Sequence, residues 1–193
     1  MSNSLRLRRA LRICTAHLQQ DVLRKCGHDN RLSRRLLYLG TPIGLALLNY
    51  RVGRLLRRVR ASPLKQIIWV MTGISRQIII IISGIDIPYS ARIGAGLVIG
   101  HSGNVVIGSK VVIRRNVTLH QGVTIGKSSV SRAEPEPKIG RSVFVGPNAV
   151  ILGQISVGSN SIISPNAFVS KNIPSSSIIR PAENISTKRQ SSQ

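Results

Sequence analysis

Residues 139–169 read IGRSVF-VGPNAV-ILGQIS-VGSNSI-ISPNAF-V, and this stretch decides the fold. Every block of six opens on an aliphatic: Ile139, Val145, Ile151, Val157, Ile163 and Val169. The same step recurs upstream at Ile107, Ile113, Leu119 and Ile125, and again, two residues out of phase, at Ile87, Ile93 and Ile99. Glycine often follows the aliphatic, as at Gly94, Gly108, Gly140 and Gly158. Neither a helical period nor strand alternation produces this spacing. Self-similarity at a fixed period marks a repeat architecture. Each hexapeptide predicts a short strand and a turn, and three of them close one triangular coil. The aliphatics then point inward and stack in columns on coils roughly 4.8 Å apart. The glycines are expected where the backbone turns tightly or takes a positive φ. A sandwich of short strands does not account for a phase kept through six consecutive blocks.

Composition agrees with a coil of this kind. Aromatics make up 3% of the 193 residues, too few for an ordinary globular core but enough for an aliphatic column. Net charge is +22, with sixteen Lys/Arg against two acids in residues 1–83 and twelve against four in 84–193. Such a balance implies anionic partners. The basic stretches lack the interleaved aromatics of a nucleic-acid stacking platform, which argues against nucleic acid. Cys14 and Cys26 read as two thiols of a reducing compartment. The basic start is not followed by an apolar signal region, so the chain is expected in the cytoplasm.

The organisation predicted is a basic, partly amphipathic helical segment over 1–84, a β-helix over 85–174, and a short cap with a disordered tail over 175–193. A helix is expected around Leu5 to Lys25. A second opens at Pro42 and carries Arg51, Arg54, Arg57 and Arg58 against a leucine face. That pattern fits a helix lying on anionic lipid and equally one packed on the β-helix or a partner subunit. Residues 64–85 are interrupted by Arg76 and Gln77 and read first as a buried helix leading into the first coil, with a monotopic or hairpin insertion in a membrane as the alternative. The polar interruption 127–138 is expected to protrude as a loop on a binding face.

In more detail, Gly84-Ile85-Asp86-Ile87-Pro88, Ala91-Arg92-Ile93-Gly94, Gly100-His101, Gly122-Val123-Thr124-Ile125-Gly126 and Pro137-Lys138-Ile139-Gly140 form a recognisable series. They resemble the serine acetyltransferase branch of the hexapeptide acyltransferases. The resemblance covers residues 84 to 175. It implies an all-β solenoid, a left-handed parallel β-helix, with a short α-helical N-terminal segment. The hand is the family's departure from the usual right-handed crossover. It also implies acetyl-CoA as co-substrate, a homotrimer with active sites between neighbouring coils, and no metal.

Acyl transfer to a hydroxyl needs a base, an orienter for that base and donors for the oxyanion. Histidine is the natural base near neutral pH. His101 follows a turn, with Asp86 fifteen residues before it, slightly less than one coil. The resemblance makes His101 the general base and Asp86 its orienter. It places acetyl-CoA near Gly126, Lys127, Asn148, Asn166 and Lys171, and the acceptor near Glu136. His120, beside the inward Leu119, reads either as an auxiliary donor to the acceptor or as a surface histidine.

Three departures bear on the acceptor. Glu136 stands where serine acetyltransferases have a histidine that helps hold the amino acid, and a carboxylate there would repel serine. Gly100 replaces an aspartate, and the helical leader is short. These features resemble the capsule and exopolysaccharide O-acetyltransferases of the same branch. The leading expectation is therefore transfer to a sugar hydroxyl of a bacterial surface polysaccharide (capsule, exopolysaccharide or O-antigen). A saccharide would be the acceptor, with residues 31–83 in peripheral contact with the inner face of the cytoplasmic membrane. The alternatives are a serine O-acetyltransferase of cysteine synthesis and a non-catalytic trimeric scaffold.

Overall fold

The computed structural model describes residues 3–27, 32–57, 64–129 and 135–181. Four helices come first: α1 (Asn3–Cys26), α2 (Leu32–Gly40), α3 (Pro42–Leu56) and α4 (Leu64–Ser83). Fourteen short strands follow among the described residues, and they build three parallel sheets. The first face holds β1 (Ile85–Asp86), β4 (Val105–Ile107), β7 (Thr124–Gly126), β10 (Val150–Leu152) and β13 (Phe168–Val169). The second face holds β2 (Arg92–Ile93), β5 (Val112–Ile113), β8 (Lys138–Ile139) and β11 (Ser156–Val157). The third holds β3 (Val98–Ile99), β6 (Thr118–Leu119), β9 (Phe144–Val145), β12 (Ile162–Ile163) and β14 (Ile178–Ile179). Each face gains one strand per coil.

Register places the aliphatics in columns, as a period of six requires. Ile107, Ile125, Ile151 and Val169 pair in sequence along the first face. Ile93, Ile113, Ile139 and Val157 do so along the second. Ile99, Leu119, Val145 and Ile163 do so along the third. All thirteen phased aliphatics are at most 5% exposed. Burying each is worth about 1.5–3 kcal/mol. The third face runs on past Pro174, where the repeat was expected to end, because β14 pairs with β12. The tail from 182 onward, expected to be disordered, lies outside the described residues.

The glycines that follow the phased aliphatics serve close approach. A Cβ on Gly94 would stand 2.7 Å from the Arg115 nitrogen of the next coil, and one on Gly140 2.6 Å from that of Ser159. The left-handed turn conformation is taken by other glycines, such as Gly96 and Gly122, and by asparagine at Asn116, Asn148, Asn160 and Asn166. Asparagine tolerates that region better than other side chains with a Cβ.

The leader is fastened to the first coil by arginine. Thr41 caps α3, accepting from the Gly44 N–H, and Pro42 opens it. Arg51 on α3 donates to both carboxylate oxygens of Asp21 on α1, at 2.9 and 3.1 Å, and to the carbonyls of Ile93 and Gly94. Asp21 also accepts from the Leu97 N–H at 2.8 Å. Burial raises the Asp21 carboxyl above its ordinary range, while Arg51 and the backbone donors pull it back. Arg54 donates to the carbonyls of Tyr89 and Ala91. Of the two readings open for this segment, packing on the coil is the one observed for α3.

α4 departs from expectation. It was read as buried, yet only Thr72 and Ser83 are buried along it. Ile67, Met71, Ile74, Ile78 and Ile81 form an exposed stripe, with Ile81 84% exposed. Arg76 lies about half a turn from that stripe, since residues advance ~100° each, and ion-pairs with Asp86. The charge that interrupts the sequence therefore leaves the apolar stripe intact. By length and composition alone, α4 could cross a membrane.

Candidate active site

The corner between the third and first faces collects four of the nine predicted residues. His101 lies there, exposed, just after β3. One coil on, His120 occupies the same corner, its ring 6.3 Å from that of His101 and 5.1 Å from that of Phe144. Asn148 and Asn166 follow on the next two coils, both with left-handed φ. The His101 turn is braced from the leader. Lys25 on α1 donates to the carbonyls of Ile99 and Gly100 at 3.2 and 2.9 Å. The Gly103 N–H donates to the carbonyl of Ser83 at the end of α4.

Gly100 has a local reason. A Cβ there would stand 2.8 Å from Nδ1 of His120, so the missing side chain makes room for the second imidazole. An aspartate at 100 would require the His120 ring to move from this position.

Asp86 is on β1, in register with Val106. Its Oδ1 accepts from Arg76 Nη2, and among the described residues no hydrogen bond joins it to His101. Gly126, Lys127 and Lys171 lie at the other edge of the first face, toward the second. Space around Gly126 is open, with nothing within 4 Å of a Cβ position. Within one chain, the predicted acetyl-CoA residues therefore divide between two corners.

Glu136 is tied into the chain's own turn. It is 5% exposed and faces inward, accepting from the Lys110 N–H at 2.8 Å and from Ser109 at 3.5 Å. Its carboxylate fills the place a side chain at Gly108 would take. Both of its oxygens are thereby engaged within the chain. Residues 130–134 of the same loop lie outside the described residues.

Sequence reasoning missed Lys25, Arg76 and Gln121. Gln121 adjoins His120, and its Oε1 is buried without a hydrogen-bond partner among the described residues. A buried acceptor left unpaired is costly, which marks it as a place for a donor. Its only sequence signal was its position beside His120. Among the described residues no group of His, Cys, Asp or Glu could hold a metal.

Comparison with known proteins bears on this corner and coil. Residues 136–171 match the bacterial transferase hexapeptide family (six repeats). The coil carries the hexapeptide transferase repeat. The serine acetyltransferase of Mycobacterium tuberculosis is 38% identical over 99 residues, 51% of this chain and 43% of that protein. That of Staphylococcus aureus strain Mu50 is 40% identical over 97 residues, 50% of this chain and 46% of that protein. The chain thus spans less than half the length of these curated relatives.

Solved structures extend the likeness to the helices. Neisseria gonorrhoeae serine acetyltransferase superposes with a TM-score of 0.75 at 25% identity, covering 91% of this chain and 69% of that one. The Brucella abortus serine acetyltransferase complex with coenzyme A gives 0.72 at 27%, covering 88% and 65%.

These findings overturn the saccharide expectation. The matched proteins are serine acetyltransferases. Of the three departures, Glu136 is engaged in the chain's own turn, and the leader superposes with the coil while the chain covers only 69% of the Neisseria protein. Gly100 remains, and His120 occupies the space it leaves.

Proposed function

We propose that this chain is an acetyl-CoA-dependent O-acetyltransferase of the serine acetyltransferase type. The observation that carries the reading is His101, an exposed imidazole on a turn whose carbonyls Lys25 holds. Kinship with serine acetyltransferases at 38–40% identity supports serine as acceptor. The coil is left-handed in this reading, as in the hexapeptide acyltransferases.

His101 takes the hydroxyl proton as the serine oxygen attacks the thioester carbonyl carbon. The tetrahedral oxyanion collapses, the C–S bond breaks, and the imidazolium returns the proton to the leaving coenzyme A thiolate. Asp86 steadies the imidazolium through Oδ2, while Arg76 holds Oδ1. Gln121 offers its unpaired oxygen to the ammonium of serine. Lys127 and Lys171 face the phosphates of coenzyme A.

Copies associate as a trimer through the first and third faces. Val106 and Phe168 are exposed on the first, and Phe144, Ile162 and Ile178 on the third. The second face presents Arg92 and Lys138 instead. In this reading neighbouring copies unite the divided residues. The reaction belongs in the cytoplasm. The exposed stripe of α4, with no acidic residue on the helix, meets the surface of an anionic bilayer.

The test is release of coenzyme A from acetyl-CoA by the full chain, with and without L-serine. Serine-dependent, saturable release is expected, reduced roughly 10²–10⁴-fold in His101→Ala. Bound acetyl-CoA without serine-dependent release would overturn the acceptor. Equal rates in wild type and variant would overturn the base.

A further inference from the structure

A cleft of about 520 Å³ opens between α1, α3 and the edge of the second face. It is separate from the His101 corner, because the whole third face lies between them. Its wall is built of arginine. Arg92 projects from the first coil, Arg114 and Arg115 from the second, and Arg141 from the third. All four are exposed, and among the described residues none is ion-paired with a carboxylate.

The repeat itself stacks these charges. Asn116 and Ser142 are matching turn residues, both with left-handed φ, and the Ser142 N–H donates to the Arg115 carbonyl. Arg115 and Arg141 therefore occupy equivalent positions on adjacent coils, roughly 4.8 Å apart along the stack. Backbones at that spacing let both guanidinium groups reach one anion. The one acid nearby, Asp21, is fully buried and already committed to Arg51. His17 lines the same cleft, and burial, then Arg51 and Arg54, push it below its ordinary value. Ile13 and Leu55 supply an apolar wall opposite.

We infer that this cleft is a binding site for a small phosphate ester carrying at least two negative charges, such as a nucleoside di- or triphosphate. Paired guanidinium groups recognise phosphate oxygens bidentately. The volume suits a ligand of nucleotide size, and the apolar wall suits a base or another flat body. The inference stands independently of the acetyl acceptor.

Calorimetric titration of the full chain with inorganic pyrophosphate, ATP and adenosine tests it, beside the double variant Arg115→Gln/Arg141→Gln. Saturable binding of pyrophosphate and ATP is expected, weakened at least tenfold in the double variant, with no binding of adenosine. Acetyl transfer is expected to be unchanged in the double variant, which also shows that it folds. Binding equal in wild type and variant would overturn the site. So would binding confined to phosphatidylglycerol vesicles, since the cleft would then serve lipid only. If coenzyme A displaced pyrophosphate and the variant also lost transferase activity, the cleft would belong to the transfer site and the separate site would be overturned.

Discussion

Asp86 and Arg76 show how much a single contact adds to a motif. The spacing of Asp86 and His101 is visible in the sequence, but Arg76 belongs to a helix that reads as an apolar connector. The pair is partly exposed, at 29% and 31%, so it contributes little to stability, on the order of 0–1 kcal/mol. Its expected value is positional. Arg76→Gln should lower kcat roughly tenfold with KM for serine little changed, as a misplaced orienter does. Arg76→Lys should restore part of the loss, and steady-state kinetics of the two variants check it. His17 makes the second residue-scale prediction. Its pKa is lowered in the folded chain by burial, Arg51 and Arg54. The folded state then binds fewer protons than the unfolded one, so stability falls as pH drops through about 6.5. Urea midpoints should decline from about pH 7.5 to about pH 5.5 and decline less in His17→Gln. Identical slopes would exclude His17 as the cause.

At the scale of elements, α3 takes one of the two places its sequence leaves open, and α4 leaves the one its sequence favours. The arginines of α3 suit a lipid surface or a packed interface equally, and Arg51 and Arg54 turn to coil carbonyls that exist only once the first coil has formed. α4 looks like a core helix and instead shows its isoleucines to the outside. Composition cannot distinguish these outcomes, because an apolar face fits a coil, a partner or a bilayer equally well. The full chain should co-sediment with vesicles containing phosphatidylglycerol and much less with neutral ones. Ile78→Glu/Ile81→Glu should abolish that binding while leaving the far-ultraviolet spectrum unchanged. Retained binding in the variant would remove α4 from the membrane reading.

For the whole molecule, two apolar faces and one basic face describe a prism made to associate on two sides. Sedimentation equilibrium should return a trimer for the wild type and a lighter species for Phe168→Asp/Ile178→Asp, with serine-dependent turnover lost alongside. A monomer that turns over fully would refute a site shared between copies.

The sequence by itself determined the coil. A period of six needs only neighbouring blocks to agree, and each of the thirteen aliphatics meets the same inward environment on every coil. His101 and His120 were legible for that reason, as turn residues of a regular repeat. Tertiary structure alone decided what surrounds them. Lys25 reaches Gly100 across 75 residues, Arg51 reaches Asp21 across 30, and Glu136 reaches Lys110 across 26. A charge on a linear chain has many possible partners. Only the folded backbone, with its buried carbonyls and N–H groups demanding to be paired, selects the one each charge takes.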